Sequence, residues 1–447
     1  MKPLPLWLLT AFIGLQFTQP VAALNPVGLA AGSDYSLFIL SDGSLWGQGD
    51  NGSGELGLGG ATSIPYPTEV VETNVAAVFT RSDHTLFIKL DGSLWAMGAN
   101  EAGECGTGVK GDVHRPTRIV SSKVVTCATG VFHSLFVETD GSLWGMGNNS
   151  LGEVGTALSN IYSPVIIVSN GVTAAAAGYE FSLFLKSNGS LWAMGDDFYG
   201  QLGDGTNTES YLPEQIISSN VVAIACGQDF SLFLKSDGSL WGMGDNTYGQ
   251  LGTGQNPGSY VPVRLVPANV KAIAAGTTHS LFIKTDGSLW GMGNNFHGEL
   301  GIPNDPSSDG NIYYPTQIVA TAVTAISGGD IHSLFTTSDS SLWVMGNYST
   351  FFDTYYLPWR IAMGSLVPYL TGIVFNGTNI QLDGNTGWLA AAGQASYVLT
   401  STNVALPPAQ WTRLATNFPA TSGSFTTLVT NGVSLGGAHR FYRLEFP

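Results

Sequence analysis

At 447 residues the chain is long enough for two or three domains, and 44% hydrophobic with only 11% charged residues excludes an intrinsically disordered protein. The formal net charge is −16, with 16 basic residues against 32 acidic ones. That balance excludes nucleic acid and anionic membrane surfaces as partners, because both require clustered lysine and arginine. The densest basic group, Lys110, Arg115, Arg118 and Lys123, is read as a solvated strand edge.

The chain opens on a targeting pattern. Lys2 supplies a short positive region, residues 4–17 are apolar, and Val21-Ala22-Ala23 offers small residues for cleavage. Residues 1–23 are therefore assigned as a signal peptide, and the protein is expected to be secreted or extracellular, with surface association left open. The apolar run is too short and wrongly flanked for a membrane span, an uncleaved anchor being the alternative, and no later stretch is apolar enough for one, so none is expected in the mature chain.

From residue 24 a repeat takes over. Trp46, Trp95, Trp144, Trp192, Trp241, Trp290 and Trp343 recur at intervals of 48 to 53 residues, each inside the same phrase. A fixed period of this length marks a repeat architecture whose units share one continuous core. Each unit reads as four short strands. In the fifth these are Val221 to Ala225, the FSLFLK run from Phe230, the SLWGMG run from Ser239, and a strand after a proline, as at Pro213 in the preceding unit. Asp-Gly or Asn188-Gly189 joins strands two and three in six units, which predicts two-residue type I′ hairpins. Turn chemistry accounts for these aspartates without calcium.

A methionine follows the tryptophan in six units, and the pair is read as core packed between neighbouring sheets. The Gly-rich phrase beyond it (Gly244, Asp245, Gly249, Leu251, Gly252) has no following helix and never runs into Lys-Ser or Lys-Thr, so it is not a P-loop. Four-stranded units repeated seven times fit a closed ring of propeller blades. Whether the ring closes by sharing strands is left open. So is a Cys105–Cys127 disulfide. No Cys/His spacing points to a metal, and no motif points to a cofactor.

The order G-x-x-[HF]-S-L-F, then D-G-S-L-W, then G-x-N-x-x-G-x-L-G resembles the regulator of chromosome condensation 1 repeat family over about residues 26–361. The resemblance implies a seven-bladed β-propeller. The family's eukaryotic founder is a nuclear exchange factor for a small GTPase bound to chromatin, and secreted bacterial members include a protein inhibitor of β-lactamases. The export pattern and the lack of a basic tail set this chain apart from the exchange factor, so it resembles the secreted bacterial type.

The fold class expected is all-β, a seven-bladed propeller over 24–361 followed by a small C-terminal β-sandwich over 367–447. Five short alternating runs, Gly372 to Phe375, Ile380 to Leu382, Ala395 to Leu399, Gln410 to Leu414 and Arg440 to Leu444, give the second domain. That segment resembles a module at the ends of large exported bacterial repeat proteins.

Function is sought in the loops joining strands one and two, whose variable dipeptides fall on one face of the ring. They are Ser33-Asp34, Ser82-Asp83, Val131-Phe132, Tyr179-Glu180, Gln228-Asp229, Thr277-Thr278 and Asp330-Ile331. In the family, partner contacts often come from this dipeptide. The candidate binding residues are Asp34, Asp83, Phe132, Tyr179, Glu180, Asp229, Thr278 and Asp330. Aromatic anchors among acids suit a protein partner of basic character. Phe198-Tyr199, Thr247-Tyr248 and Phe296-His297 in the Gly-rich phrase would extend the patch. His84, His133, His279 and His332 share a slot with Tyr35, Phe181 and Phe230, which indicates packing plus a hydrogen bond. No catalytic constellation is legible. The expected function is an exported, non-enzymatic binding propeller recognising a protein or cell-envelope component. The alternative is an extracellular enzyme acting on a polysaccharide or small molecule, and a guanine-nucleotide exchange factor ranks below both.

Overall fold

The structure, a computed structural model, describes residues 25–347 apart from 61, 158, 256 and 304–308, then 355–361, and six backbone strands between 369 and 445. The assigned signal peptide lies outside the described residues. The chain divides into two compact units, one spanning Asn25–Ala362 and another holding Met363–Pro447.

The first unit is seven four-stranded antiparallel sheets, each built from one contiguous segment. These blades span 26–71, 75–120, 124–168, 172–217, 221–266, 270–319 and 323–361. Blade 5 is representative, with strands Val221–Cys226, Phe230–Lys235, Leu240–Asp245 and Gly258–Val266. Both faces of each sheet are buried, which explains the near-continuous apolar second strand. Phe230, Leu232 and Leu234 pack toward Phe282 and Met292 of blade 6. On the opposite face, Phe233 and Met243 pack toward Phe181, Leu183 and Leu202 of blade 4. The core therefore lies between blades, and each fully buried Leu or Phe contributes about 1.5–3 kcal/mol relative to exposure. In blades 2 to 7 the repeat tryptophan stacks on the phenylalanine opposite it, as in Phe233–Trp241 with centroids 6.1 Å apart. A lysine covers the outer ring face in several blades, such as Lys284 Nζ at 3.5 Å from the Trp290 centroid.

Polar bonds tie blade to blade. His84, His133, His279 and His332 each place Nε2 2.8 Å from a serine Oγ in the next blade. Because Ser182 Oγ donates to the Glu153 carbonyl at 2.7 Å, His133 must donate from Nε2 to that oxygen. Phe181 and Phe230 fill the slot without a polar atom, and there Ser231 and Ser280 still donate to Gln201 and Gln250 carbonyls. The ring closes without strand sharing. Ser36 Oγ meets His332 Nε2 at 2.8 Å, and Ala31 N donates to Ser327 Oγ at 3.1 Å.

Two local expectations are corrected or resolved. The Asp-Gly hairpins are not type I′. Only the glycine has positive φ (Gly43 at 82°), and Gly43 N bonds the Leu40 carbonyl at 2.8 Å, giving a type I turn whose third loop residue is left-handed. The aspartate keeps negative φ because its carboxylate is needed elsewhere. Asp42 Oδ1 accepts from Ser44 N and Oγ at 2.9 and 2.6 Å, and Ser44 Oγ accepts from Trp46 Nε1 at 2.9 Å. This chain of bonds explains the D-G-S-L-W phrase and holds the Asp91, Asp140, Asp237 and Asp286 carboxyls below the ordinary range through their serine hydrogen bonds. Cys105, Cys127 and Cys226 are free and buried, so the Cys105–Cys127 bridge is not formed.

In the second unit six strands form two three-stranded sheets. One orders Tyr369–Asn376, Asn379–Asn385 and Ser424–Val429, and the other Thr412–Thr416, Tyr397–Ser401 and Phe441–Glu445. Five of the six coincide with expected runs. Ser424–Val429 is additional.

Candidate functional site

The variable dipeptides do form a circle on one face, but their two positions do different things. The first residues, Ser33, Ser82, Val131, Tyr179, Gln228, Thr277 and Asp330, line a cavity of about 200 Å³ at the central channel. Backbone bonds link them around the ring, as in Gln228 N to the Thr277 carbonyl at 2.9 Å and Asp330 N to the Gly32 carbonyl at 3.1 Å. Of the predicted residues, Tyr179 and Asp330 are therefore inner. Asp34, Asp83, Phe132, Glu180, Asp229 and Thr278 occupy the outer position.

Arg81 shares the inner cavity, standing where six blades carry glycine. Its side chain reaches blade 5, donating from Nη1 to the Cys226 carbonyl at 2.7 Å, while Nη2 is buried without an acceptor. Burial draws its pKa below the usual arginine range, opposed by charge from Asp330 and Asp229 among others.

The outer carboxylates lie close enough to disturb one another. Asp229 is pushed up to about 6 by burial and then by Asp245 and Asp196. Asp34 is raised by burial and by Asp330, Asp50 and Asp83, and Glu180 by burial and Asp196. Asp83 is anchored by Ser33 Oγ at 2.7 Å. Phe132 and Tyr179 meet edge-to-face at 5.6 Å.

The Gly-rich loops join this face, as expected. Tyr199, Thr247 and Tyr248 line a second cavity, of about 220 Å³, together with Gln228, Asp229, Asp245, Gln250, Thr277 and Thr278. Two side chains build each loop. An asparagine accepts the N–H five residues on, as Asn246 Oδ1 does from Leu251 N at 2.8 Å. A Glu or Gln accepts the N–H two residues back, as Gln250 Oε1 does from Tyr248 N at 2.9 Å. Donors and acceptors are matched within the loop. Gln201 and Gln250 donate to Asp196 and Asp245, each at 2.8 Å, whereas Glu153 accepts from Asn148 Nδ2 at 2.7 Å. Burial raises the carboxyls of Glu55, Glu153 and Glu299 to about 7.

Blade 4 breaks the asparagine pattern with Asp197. Its Oδ1 accepts from Leu202 N at 2.7 Å, but its Oδ2 is buried without a partner. In the other loops the equivalent amide donates to a carbonyl, as Asn149 Nδ2 does to Thr156 O at 2.8 Å. Burial, with added repulsion from Asp204, lifts Asp197 to about 8. The folded state therefore holds a proton that the unfolded chain releases above about pH 4, so stability falls as pH rises from about 4 to 8. Asp197→Asn restores the missing donor. It is expected to raise stability by about 1–3 kcal/mol at pH 8, with the gain shrinking toward pH 4. Denaturant unfolding at both pH values measures this directly.

The RCC1-like domain model matches residues 123–351, and the regulator of chromosome condensation (RCC1) repeat model matches residues 91–137. No curated protein gives a significant match. Among solved structures, human WBSCR16 is 24% identical, covering 70% of this chain and 86% of its own, with a TM-score of 0.62. Prp20p from Saccharomyces cerevisiae is 22% identical over 78% of this chain and 90% of its own, with a TM-score of 0.65. Yeast RCC1 (Prp20) in complex with Kap60 is 20% identical over 79% and 88%, with a TM-score of 0.64. These structural likenesses establish the fold, and with a family match over half its length the chain belongs to the RCC1-like domain family.

Proposed function

We propose that this chain is an exported interaction propeller of the secreted bacterial kind that recognises a protein or cell-envelope partner through the face carrying the variable dipeptides. One observation carries the reading. Exposed aromatic rings gather on the acidic face, with Phe198 63%, Phe296 62%, Tyr248 39% and Phe132 38% accessible. Large rings left in water beside polar groups are the usual anchors of protein recognition. Phe132 and Tyr179 act as anchors, while Asp34, Asp83, Glu180, Asp229 and Asp330 steer a basic partner and Thr278 adds a hydrogen-bonding rim. Export rests on the pattern in residues 1–23.

Family members supply a parallel. Yeast Prp20 has been crystallised bound to Kap60, and its binding properties toward Gsp1p and histones have been described. The test is affinity capture from the extracellular and envelope fractions with the full chain and with a Phe132→Ser, Tyr179→Ser double variant. The partner is expected to be recovered at least tenfold less by the variant. Equal recovery by both proteins would overturn the assignment of this face.

A further inference from the structure

The cavity shared by blades 4, 5 and 6 has a chemistry that narrows the partner. Tyr199 and Tyr248 expose their rings at its rim, and Asp229 and Asp245 lie in its wall. Asp245 is held rigidly. Its Oδ1 accepts from Thr247 N and Oγ1 at 3.0 and 2.6 Å, and its Oδ2 from Gln250 Nε2 at 2.8 Å. Among the described residues the Asp229 carboxylate has no hydrogen-bond donor, although it is half-buried and feels the charges of Asp245, Asp196 and Glu180. The cation reaching it is Arg81, whose bonded nitrogen is already committed to the Cys226 carbonyl. A half-buried carboxylate without a donor, repelled by three neighbours, is unfavourable until a cation arrives. Tyrosine faces at the mouth favour an organic cation that can lie against them. No group of three or more His, Cys, Asp or Glu able to hold a metal ion occurs among the described residues.

We infer that this cavity is the specificity pocket of the binding face and takes a lysine or arginine side chain from the partner, the cation meeting Asp229 and the stem lying between Tyr199 and Tyr248. The inference rests on the proposed binding role and names the chemistry recognised by it. The volume of about 220 Å³ suits a single long side chain rather than a helix or a globular surface. Gln250 and Thr247 set the pocket's shape through Asp245, and Thr278 also lines it.

The probe is a tetralysine peptide, titrated against the full chain at low salt and followed through the ring signals of Tyr199 and Tyr248 by nuclear magnetic resonance. Binding is expected to perturb those rings first. Asp229→Asn and Tyr248→Ala are each expected to weaken it at least fivefold. Asp237→Asn changes net charge equally, at a turn where blade 4 already uses Asn188, and is expected to leave binding unchanged. Tetraglutamate is expected not to bind. If all three variants bind tetralysine like the wild type, or if Asp237→Asn weakens binding as much as Asp229→Asn, the attraction is only that of a protein with net charge −16, and the pocket has no such role. The two readings also separate. If the Phe132, Tyr179 double variant loses the captured partner while Asp229→Asn retains it fully, the binding face stands and the pocket assignment fails.

Discussion

Gly244→Ala is expected to abolish the native fold of blade 5, with a loss of more than about 4 kcal/mol, a size reached only when the backbone itself cannot yield. Gly244 is the penultimate residue of the tryptophan strand, with φ at +100°, and an added Cβ would lie 2.4 Å from the Asp229 carbonyl oxygen and 2.7 Å from the α-carbon of Phe230. Both obstructing atoms are backbone, one in the loop that presents Asp229 and the other at the start of the strand that follows it. The strain therefore cannot be relieved by turning a side chain, and any relaxation would displace the binding face. Gly60 is the control, since nothing lies within 4 Å of its Cβ and its φ is ordinary. Gly60→Ala is expected to change stability by no more than about 0.5 kcal/mol. Thermal and denaturant unfolding of the two variants side by side measures the contrast.

His133→Ala is expected to cost roughly 3 kcal/mol, whereas His133→Phe costs much less. The alanine variant loses a fully buried ring and the Nε2 bond to Ser182, opening a void between blades 3 and 4. The phenylalanine variant fills the slot as Phe181 and Phe230 do, and Ser182 keeps its bond to the Glu153 carbonyl. The pair also differs from wild type in acid. Burial lowers the folded-state pKa of His133 to about 3, so between about pH 6.5 and 3 the unfolded chain binds a proton that the folded one does not. The stability contributed by the neutral ring is thus lost progressively as pH falls through that window. His133→Phe removes this loss, and its unfolding free energy is expected to decline less than wild type between pH 6.5 and 4. His84, His279 and His332, lowered to about 4, 3 and 4, behave likewise.

The repeat made most of the architecture legible. A tryptophan every 48 to 53 residues and one phrase copied seven times dictate seven equivalent sheets, whose strands run from Pro26 to Ile361. The turn type was not legible in the same way, because Asp-Gly serves two hairpin geometries. The deciding atom was the aspartate carboxylate, which captures Ser44 in the first blade and its counterparts in others. Ser424–Val429 was missed because a threonine-rich run beside serine and glycine lacks strong apolar alternation.

The site was legible as a circle of positions but not as a set of contacts. The dipeptide rule placed eight residues on one face. Alternation along a loop is not visible in a list of pairs, so the split between channel-lining and outer positions emerged only in three dimensions. Arg81 contacts a carbonyl 145 residues away, a distance no local pattern encodes. The joining of Tyr199 and Tyr248 to Asp229 was anticipated as an extension of the patch, whereas Asp245 owes its place to a hydrogen bond with Gln250. Asp197 shows how one departure from a repeated slot exposes a physical cost, since five loops carry Asn there.

Docking of a partner on the dipeptide face is best checked by hydrogen–deuterium exchange on the full chain, alone and in complex with a partner obtained by capture. New protection is expected in the loops around 33–34, 82–83, 131–132, 179–180 and 228–229 and in the Gly-rich segments near 198–199 and 247–248. Exchange at the opposite hairpins around 91–92, 140–141 and 237–238 should not change. Protection confined to those hairpins or to residues 369–445, with the dipeptide loops unaltered, would refute docking at this face.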